Sequence, residues 1–162
     1  MLTQEFEPKI VEKITTRPEL EDIQFGKRFS NHMLVANYEN GLWKDANIVP
    51  FKNLSLSPAT SFIHYGQAIF EGVKAYRQKD GNVVLFRPLD HWKRMNASAI
   101  RMDMPEISEE IFMNGMRLLV DFDRSSVPST EGPFMGIFFS AVPYVCQFLL
   151  QPVCDFKIFR VR

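Results

Sequence analysis

The sequence predicts an α+β domain, a mainly antiparallel sheet with two consecutive helices packed on it, from three observations. Extended runs rich in β-branched and aromatic residues are joined by the turn signals Asn40-Gly41 and Asp80-Gly81. Two stretches of helical period follow one another between Pro88 and Pro128. An extended, aromatic stretch begins again at Gly132. With 162 residues, the chain is long enough for one ordinary domain with a real core and short for two.

Residues 1–24 mix charges with Pro8 and Pro18 and carry little periodicity, which predicts an arm lying over a domain that spans 25–162. Glu5 and Glu7 stand where a secretory signal would be apolar, and an Arg-rich transit pattern is missing, so a cytoplasmic chain is expected. The runs Met33–Tyr38 and Trp43–Pro50 flank Asn40-Gly41, whose two residues both tolerate positive φ; this predicts a hairpin. Ser57-Pro58 opens a short helical turn. A second hairpin joins "GVKAYR" to "NVVLFR" through Asp80-Gly81.

The first long helix starts at Pro88, which suits the first helical position, with Asp90 placed to oppose the helix dipole. Leu89, Trp92, Met95, Ala99 and Met102 fall on one broad face. Ser108 suits the N-cap of the second helix, ahead of Glu109 and Glu110. Phe112, Met116, Leu119 and Val120 form its apolar stripe, and the helix should stop before Pro128.

The uncharged tail Gly132–Cys154 has the length of a membrane span, since about 20 apolar residues cross a bilayer. Pro133, Pro143 and Pro152 interrupt a helix there, and Gln147 and Gln151 would carry amides into hydrocarbon. Buried strands divided at Pro143 are the better reading. Without covering partners, so apolar a stretch predicts a self-associating chain.

Composition excludes several functions. Nineteen basic side chains balance nineteen acidic ones, so no global field attracts nucleic acid or anionic lipid. Cys146 and Cys154 match no zinc or redox spacing and read as reduced thiols, and His32 and His91 lack metal-ligand spacing; no metal is assigned.

One stretch stands out: "HYGQAIFEGVKAYR", His64 to Arg77. Tyr65, Ile69, Phe70 and Tyr76 are large, Gly66 and Gly72 interrupt a smooth helix, and Glu71 and Lys74 put charges beside the rings. Composition leaves two readings open, a strand entered through a turn or the wall of a pocket. Glu71 and Lys74 either orient the turn or face a site. His64 has no paired carboxylate or Cys for nucleophilic chemistry, and Arg87 reads as a surface residue. Arg94, on the first helix, reads by itself as an exposed i,i+4 partner of Asp90.

The order of segments adds more. "FSNHMLVANYENGLWKDANIVPF", then "HYGQAIFEGVKAYR", "VLFRP" and Arg94 within "KRM" together resemble the N-terminal small domain of branched-chain amino-acid aminotransferases, fold-type IV pyridoxal-phosphate enzymes. The resemblance runs from about Phe25 onward and is strongest before Pro128. It implies pyridoxal 5′-phosphate as cofactor, transfer of the amino group of leucine, isoleucine or valine to 2-oxoglutarate, and a homodimer. It places Arg94 on the cofactor phosphate, where a planar guanidinium makes two charge-assisted hydrogen bonds. It places Tyr65 and Phe70 along the substrate side-chain pocket, with Tyr65 reaching the neighbouring subunit's site, and it gives Gly66 and Gly72 the task of bending the backbone closely around that site. The family's Schiff-base lysine belongs to a larger C-terminal domain. No lysine here stands in that context, so no catalytic residue is assigned and the chain is expected to be catalytically incomplete alone. A departure lies at "STEGPFMGIFF": the family usually has Tyr-x-Arg before its Pro-Phe strand, whereas Gly132 directly precedes Pro133 here. The rival reading is a non-catalytic binding or assembly module that keeps the small-domain fold. D-amino-acid aminotransferases and aminodeoxychorismate lyases are weaker relatives.

Overall fold

Turn chemistry sets the first pairing. In the computed structural model, which describes residues 9–10, 14, 29–127, 134–142 and 145–153, Asn40 and Gly41 both adopt positive φ, 53° and 80°. That is the backbone of a two-residue turn whose twist matches its strands. It joins β2 (His32–Glu39) to β3 (Leu42–Pro50) in antiparallel register, with a bulge between Val35 and Asn37. Within the stretch expected to form an arm, β1 (Lys9–Ile10) pairs in parallel with Asn47 and Ile48 of β3. The rest of that arm except Ile14, the Gly132-Pro133 junction, Pro143 and Cys154 lie outside the described residues.

The short helix α1 (Ser61–Tyr65) follows a turn in which the Thr60 N–H donates to the Ser57 carbonyl, as Ser57-Pro58 foretold. The second hairpin joins β4 (Ile69–Arg77) to β5 (Val83–Leu85), but through a longer turn than Asp80-Gly81 alone. Only Gly81 has positive φ there; the Gly81 N–H donates to the Gln78 carbonyl, and the Gln78 N–H to the Asn82 carbonyl. Asp80 accepts from the Asn82 N–H at 3.0 Å and stiffens the loop.

Helix α2 (Pro88–Arg101) starts at its proline, and α3 (Glu109–Phe122) starts where the Ser108 hydroxyl accepts from the Ile111 N–H at 3.2 Å. Phe112, Met116, Leu119 and Val120 are all buried, as the stripe requires. On α2 the buried face is narrower than expected. Met95 and Ala99 are buried and Trp92 packs against the core, while Leu89 and Met102 are exposed. Leu89 stands in the first turn of the helix and Met102 at its C-cap, so both lie at its ends, away from the buried middle. Asn96 occupies a core position instead, because its amide both accepts from the Ile107 N–H and donates to the Ile107 carbonyl. The two tryptophans add to this clamp on the loop between the helices: Trp43 donates to the Glu106 carbonyl and Trp92 to the Ile107 carbonyl, each at 2.8 Å.

A 3-10 turn (Arg124–Ser126) closes α3, and the tail supplies β6 (Phe134–Val142) and β7 (Val145–Val153), strands on either side of Pro143 as expected. The sheet has seven strands in the order β1-β3-β2-β7-β6-β4-β5, antiparallel throughout except for β1 on β3. The last hairpin is therefore inserted between the first two. The core lies between sheet and helices, where Leu34, Ile48, Val73 and Ala75 meet Met95, Phe112 and Leu119. Among the described residues no helix is long and apolar enough to cross a membrane.

A buried His–Asp pair ties distant segments together. The His32 backbone N–H donates to Asp123 Oδ2 at 2.9 Å, and its ring Nδ1 lies 2.6 Å from Asp123 Oδ1. The Ile14 N–H donates to His32 Nε2 at 3.0 Å, so Nε2 is the acceptor and Nδ1 carries the proton given to Asp123.

Candidate functional site

Strand β4 sends successive side chains to opposite faces. Ile69, Glu71, Val73 and Ala75 point toward the helices and are buried; Phe70, Lys74 and Tyr76 point the other way and are exposed. This parity puts a carboxylate into an apolar layer, with Glu71 only 3% exposed. An unpaired charge there would be costly, so partners are needed. Helix α2 provides them from positions three apart on one face, His91 and Arg94.

Arg94 makes a two-pronged pair with Glu71. Its Nε donates to Glu71 Oε2 at 2.6 Å, and its Nη2 donates to Oε1. His91 Nδ1 lies 3.0 Å from the same Oε1, and the Gly72 N–H donates to it at 2.8 Å. An ionised carboxylate only accepts, so the proton of the His91 contact sits on Nδ1. Burial pushes the Glu71 carboxyl upward, yet the hydrogen bonds from Arg94, His91 and the Gly72 N–H outweigh it and hold its pKa below the ordinary value. Arg94 is correspondingly pushed up, first by its hydrogen bond to Glu71 and then by the opposite charge. The Arg94 side chain is nonetheless 66% exposed, and its Nη1 edge has no acceptor among the described residues.

The Asp90–Arg94 pair expected from i,i+4 spacing does not form. Arg87, in the left-handed region at φ 49°, caps the helix start, and its Nε donates to Asp90 Oδ2 at 2.7 Å. Asp90 is thereby satisfied within the first turn, and Arg94 turns to the buried carboxylate, a partner less screened by water. The Arg87–Asp90 pair is exposed on both sides, which fits the surface reading of Arg87.

Tyr65 ends α1 and is 84% exposed, its ring edge-on to His64. Gly66 then terminates the helix at φ 63°, its N–H donating to the Phe62 carbonyl; a residue with a Cβ would be strained there. His64 is occupied structurally, with Nε2 2.7 Å from the Pro58 carbonyl. Phe70 is 69% exposed and leaves the sheet on the face opposite Glu71. The structure thus joins Arg94 to Glu71 and His91, and leaves Tyr65 and Phe70 as two exposed aromatic surfaces on the segment that leads into and begins β4. Gly72 contributes its N–H to the Glu71 carboxylate and stays extended.

Comparison with known proteins gives the chain its relatives. No family model matches it. A probable branched-chain-amino-acid aminotransferase of Staphylococcus epidermidis is 43% identical over 127 residues, which are 78% of this chain and 35% of that protein. Branched-chain-amino-acid transaminase 1 of Bacillus subtilis is 41% identical over 135 residues, 80% of this chain and 38% of that one. Its curated homologues are branched-chain-amino-acid aminotransferases. The solved branched-chain amino acid aminotransferase of Thermobaculum terrenum, in its PLP-form, matches with a TM-score of 0.54 at 15% identity, covering 78% of this chain and 41% of that chain. The α+β fold is that of the small domain of the fold-type IV aminotransferases. The chain spans little more than a third of the length of the curated relatives it matches.

Against that aminotransferase fold, sequence reasoning singled out Arg94 but missed what holds it. The residues alone leave Glu71 either orienting the turn or facing a site, and His91 enters only as a metal-ligand candidate without the right spacing. The parity Ile69, Glu71, Val73, Ala75 was the available signal, because a carboxylate on an apolar strand face demands a cation nearby. Among the described residues, no group of three His, Cys, Asp or Glu could hold a metal ion. A cavity of about 750 Å³, lined by Tyr38, Ser57, Thr60, Gln67, Asp103 and Met104 among others, includes neither Arg94 nor Tyr65 nor Phe70 in its walls.

Proposed function

We propose that residues 25–162 act as the small domain of a cytoplasmic branched-chain amino-acid aminotransferase, with 1–24 as an arm over it. Such an enzyme passes the amino group of leucine, isoleucine or valine to 2-oxoglutarate and works as a homodimer. The observation that carries this reading is the Arg94 guanidinium, exposed at one edge and held at the other by a buried carboxylate.

The donor set suits a phosphate ester. A planar, permanently charged guanidinium with an open edge can give two parallel hydrogen bonds to phosphate oxygens, whereas a lone surface lysine offers only a point charge. Pyridoxal 5′-phosphate, when bound, supplies the electron sink for amino-group transfer. Arg94 would hold its phosphate end. Phe70 and Tyr65 would offer aromatic faces to an aliphatic substrate side chain and keep water from it, with the Tyr65 ring serving the neighbouring subunit's site. No residue of this chain is assigned the proton transfer, which the family gives to a lysine of its larger domain.

A chimera tests the reading: this chain joined to the C-terminal part of the Bacillus subtilis transaminase that it lacks a match to. The chimera is expected to form glutamate from 2-oxoglutarate in the presence of leucine, and Arg94→Ala to weaken pyridoxal 5′-phosphate retention more than substrate binding. A folded chimera that retains the cofactor but turns over no branched-chain amino acid overturns the proposal.

A further inference from the structure

We infer that Glu71 is the positioning residue of the anion site: its buried carboxylate takes the Nε and Nη2 edge of Arg94 and so presents the Nη1 edge outward to a phosphate group. The inference rests on the reading of Arg94 as the phosphate ligand and goes beyond it, by naming what gives that ligand its direction.

The geometry separates two kinds of arginine. An exposed arginine on a helix samples many rotamers, and an anion that binds it must freeze them. Arg94 is two-thirds exposed yet held at both ends of one edge, Nε on Oε2 and Nη2 on Oε1. The carboxylate holding it cannot swing either. Glu71 is 3% exposed, accepts from the Gly72 N–H at 2.8 Å, and has the His91 ring nitrogen 3.0 Å from Oε1. Strand β4 and helix α2 are therefore locked at this point by one carboxylate serving four N–H donors from three residues. Ser98 braces the same turn, its hydroxyl donating to the Arg94 carbonyl at 3.0 Å. The ordering cost of an anion site is met when the domain folds, before any phosphate arrives.

Charge alone predicts the opposite role for Glu71. A carboxylate beside Arg94 offsets part of its positive charge and repels an incoming phosphate. Removing that charge would tighten phosphate binding if Coulomb attraction were all that mattered. Positioning predicts that it weakens binding. The sign of one measurement therefore separates the two.

The test uses the 162-residue chain and two probes, pyridoxine 5′-phosphate and pyridoxine, neither of which carries the aldehyde needed to attach to a lysine. Binding is followed through the Arg94 Nε–H resonance and by calorimetry. In the wild-type chain that resonance should be displaced and slowly exchanging before any probe is added, and pyridoxine 5′-phosphate but not pyridoxine should move it. Glu71→Gln should return the resonance to the position of a free arginine. It should also weaken pyridoxine 5′-phosphate binding roughly three- to tenfold, the scale of one freed side chain, while leaving pyridoxine unaffected. Glu71→Asp is the second variant, kept for the case in which Glu71→Gln does not fold. It retains the charge and withdraws the carboxylate by one methylene, so positioning predicts weaker binding and pure charge predicts no change. Unchanged or tighter phosphate binding in these variants, with a responsive wild type, overturns the inference and leaves the Arg94 reading intact. A wild-type Arg94 resonance that ignores the phosphate probe refutes the Arg94 reading itself, and the positioning role with it.

Discussion

Removing Arg94 should destabilise the fold, and by an amount that depends on pH. Arg94→Ala takes away two donors from a carboxylate that stays buried, leaving His91 and the Gly72 N–H. Breaking a fully buried ion pair by deleting one partner costs about 3–5 kcal/mol. Arg94 itself is 66% exposed and partly screened, and two other donors remain, so the cost here should be discounted to about 1–3 kcal/mol. The sign with pH follows from Glu71, whose folded pKa is depressed below its ordinary value of 4.5. A depressed carboxylate contributes stability that is present above that ordinary value and lost as pH falls through the folded pKa. In the variant the depression is relieved. The gap between wild type and Arg94→Ala should therefore be widest at neutral pH. It should narrow as pH falls below the ordinary value and the unfolded chain takes up the Glu71 proton, and should close once pH passes the depressed folded pKa. Urea unfolding followed by circular dichroism at about pH 7 and about pH 3.5 measures both gaps, with the midpoint shifting while the slope stays constant. Equal stability of the two proteins at neutral pH, or a gap of the same size at both pH values, would show that Glu71 does not depend on Arg94.

Three other outcomes test separate parts of the structure. Phe112→Ala removes the largest fully buried side chain among the described residues and should cost about 3–5 kcal/mol in the same urea assay; a loss under about 1 kcal/mol would mean that the core does not close on it. Asp123→Ala leaves the His32 backbone N–H and ring Nδ1 without their acceptor and should cost about 2 kcal/mol, with faster amide exchange at Ile14, whose N–H rests on the same ring. Exchange at Ile14 that stays as slow as in wild type would show that the ring needs no anchor. Phe70→Ala, introduced into the aminotransferase chimera, should lower the preference for leucine and isoleucine over smaller side chains, and an unchanged substrate profile removes Phe70 from the pocket wall.

What could be read directly from the residues was short in range. Asn40-Gly41 turned the chain because both residues accept positive φ, whichever strands lie beyond. Pro88 and Ser108 opened their helices through a missing N–H and a capping hydroxyl, effects confined to one turn. The stripe Phe112, Met116, Leu119, Val120 needed only the helical period, and the ordered blocks from Phe25 to Arg94 carried the family resemblance. Tertiary structure alone decided the rest. Nothing local tells β6 and β7 to enter between the two earlier hairpins, since the β2–β7 pairing spans most of the chain and the β4–β6 pairing more than a third of it. Asp90 had two arginines within reach, and the choice fell to Arg87 because Arg94 had a buried carboxylate to satisfy 23 residues away. His32 found Asp123 across 91 residues for the same reason. Turns and caps are settled by the dihedrals and hydrogen bonds of adjacent residues. A polar group taken out of water must find its partner in whatever the fold brings beside it, and sequence spacing does not contain that neighbour.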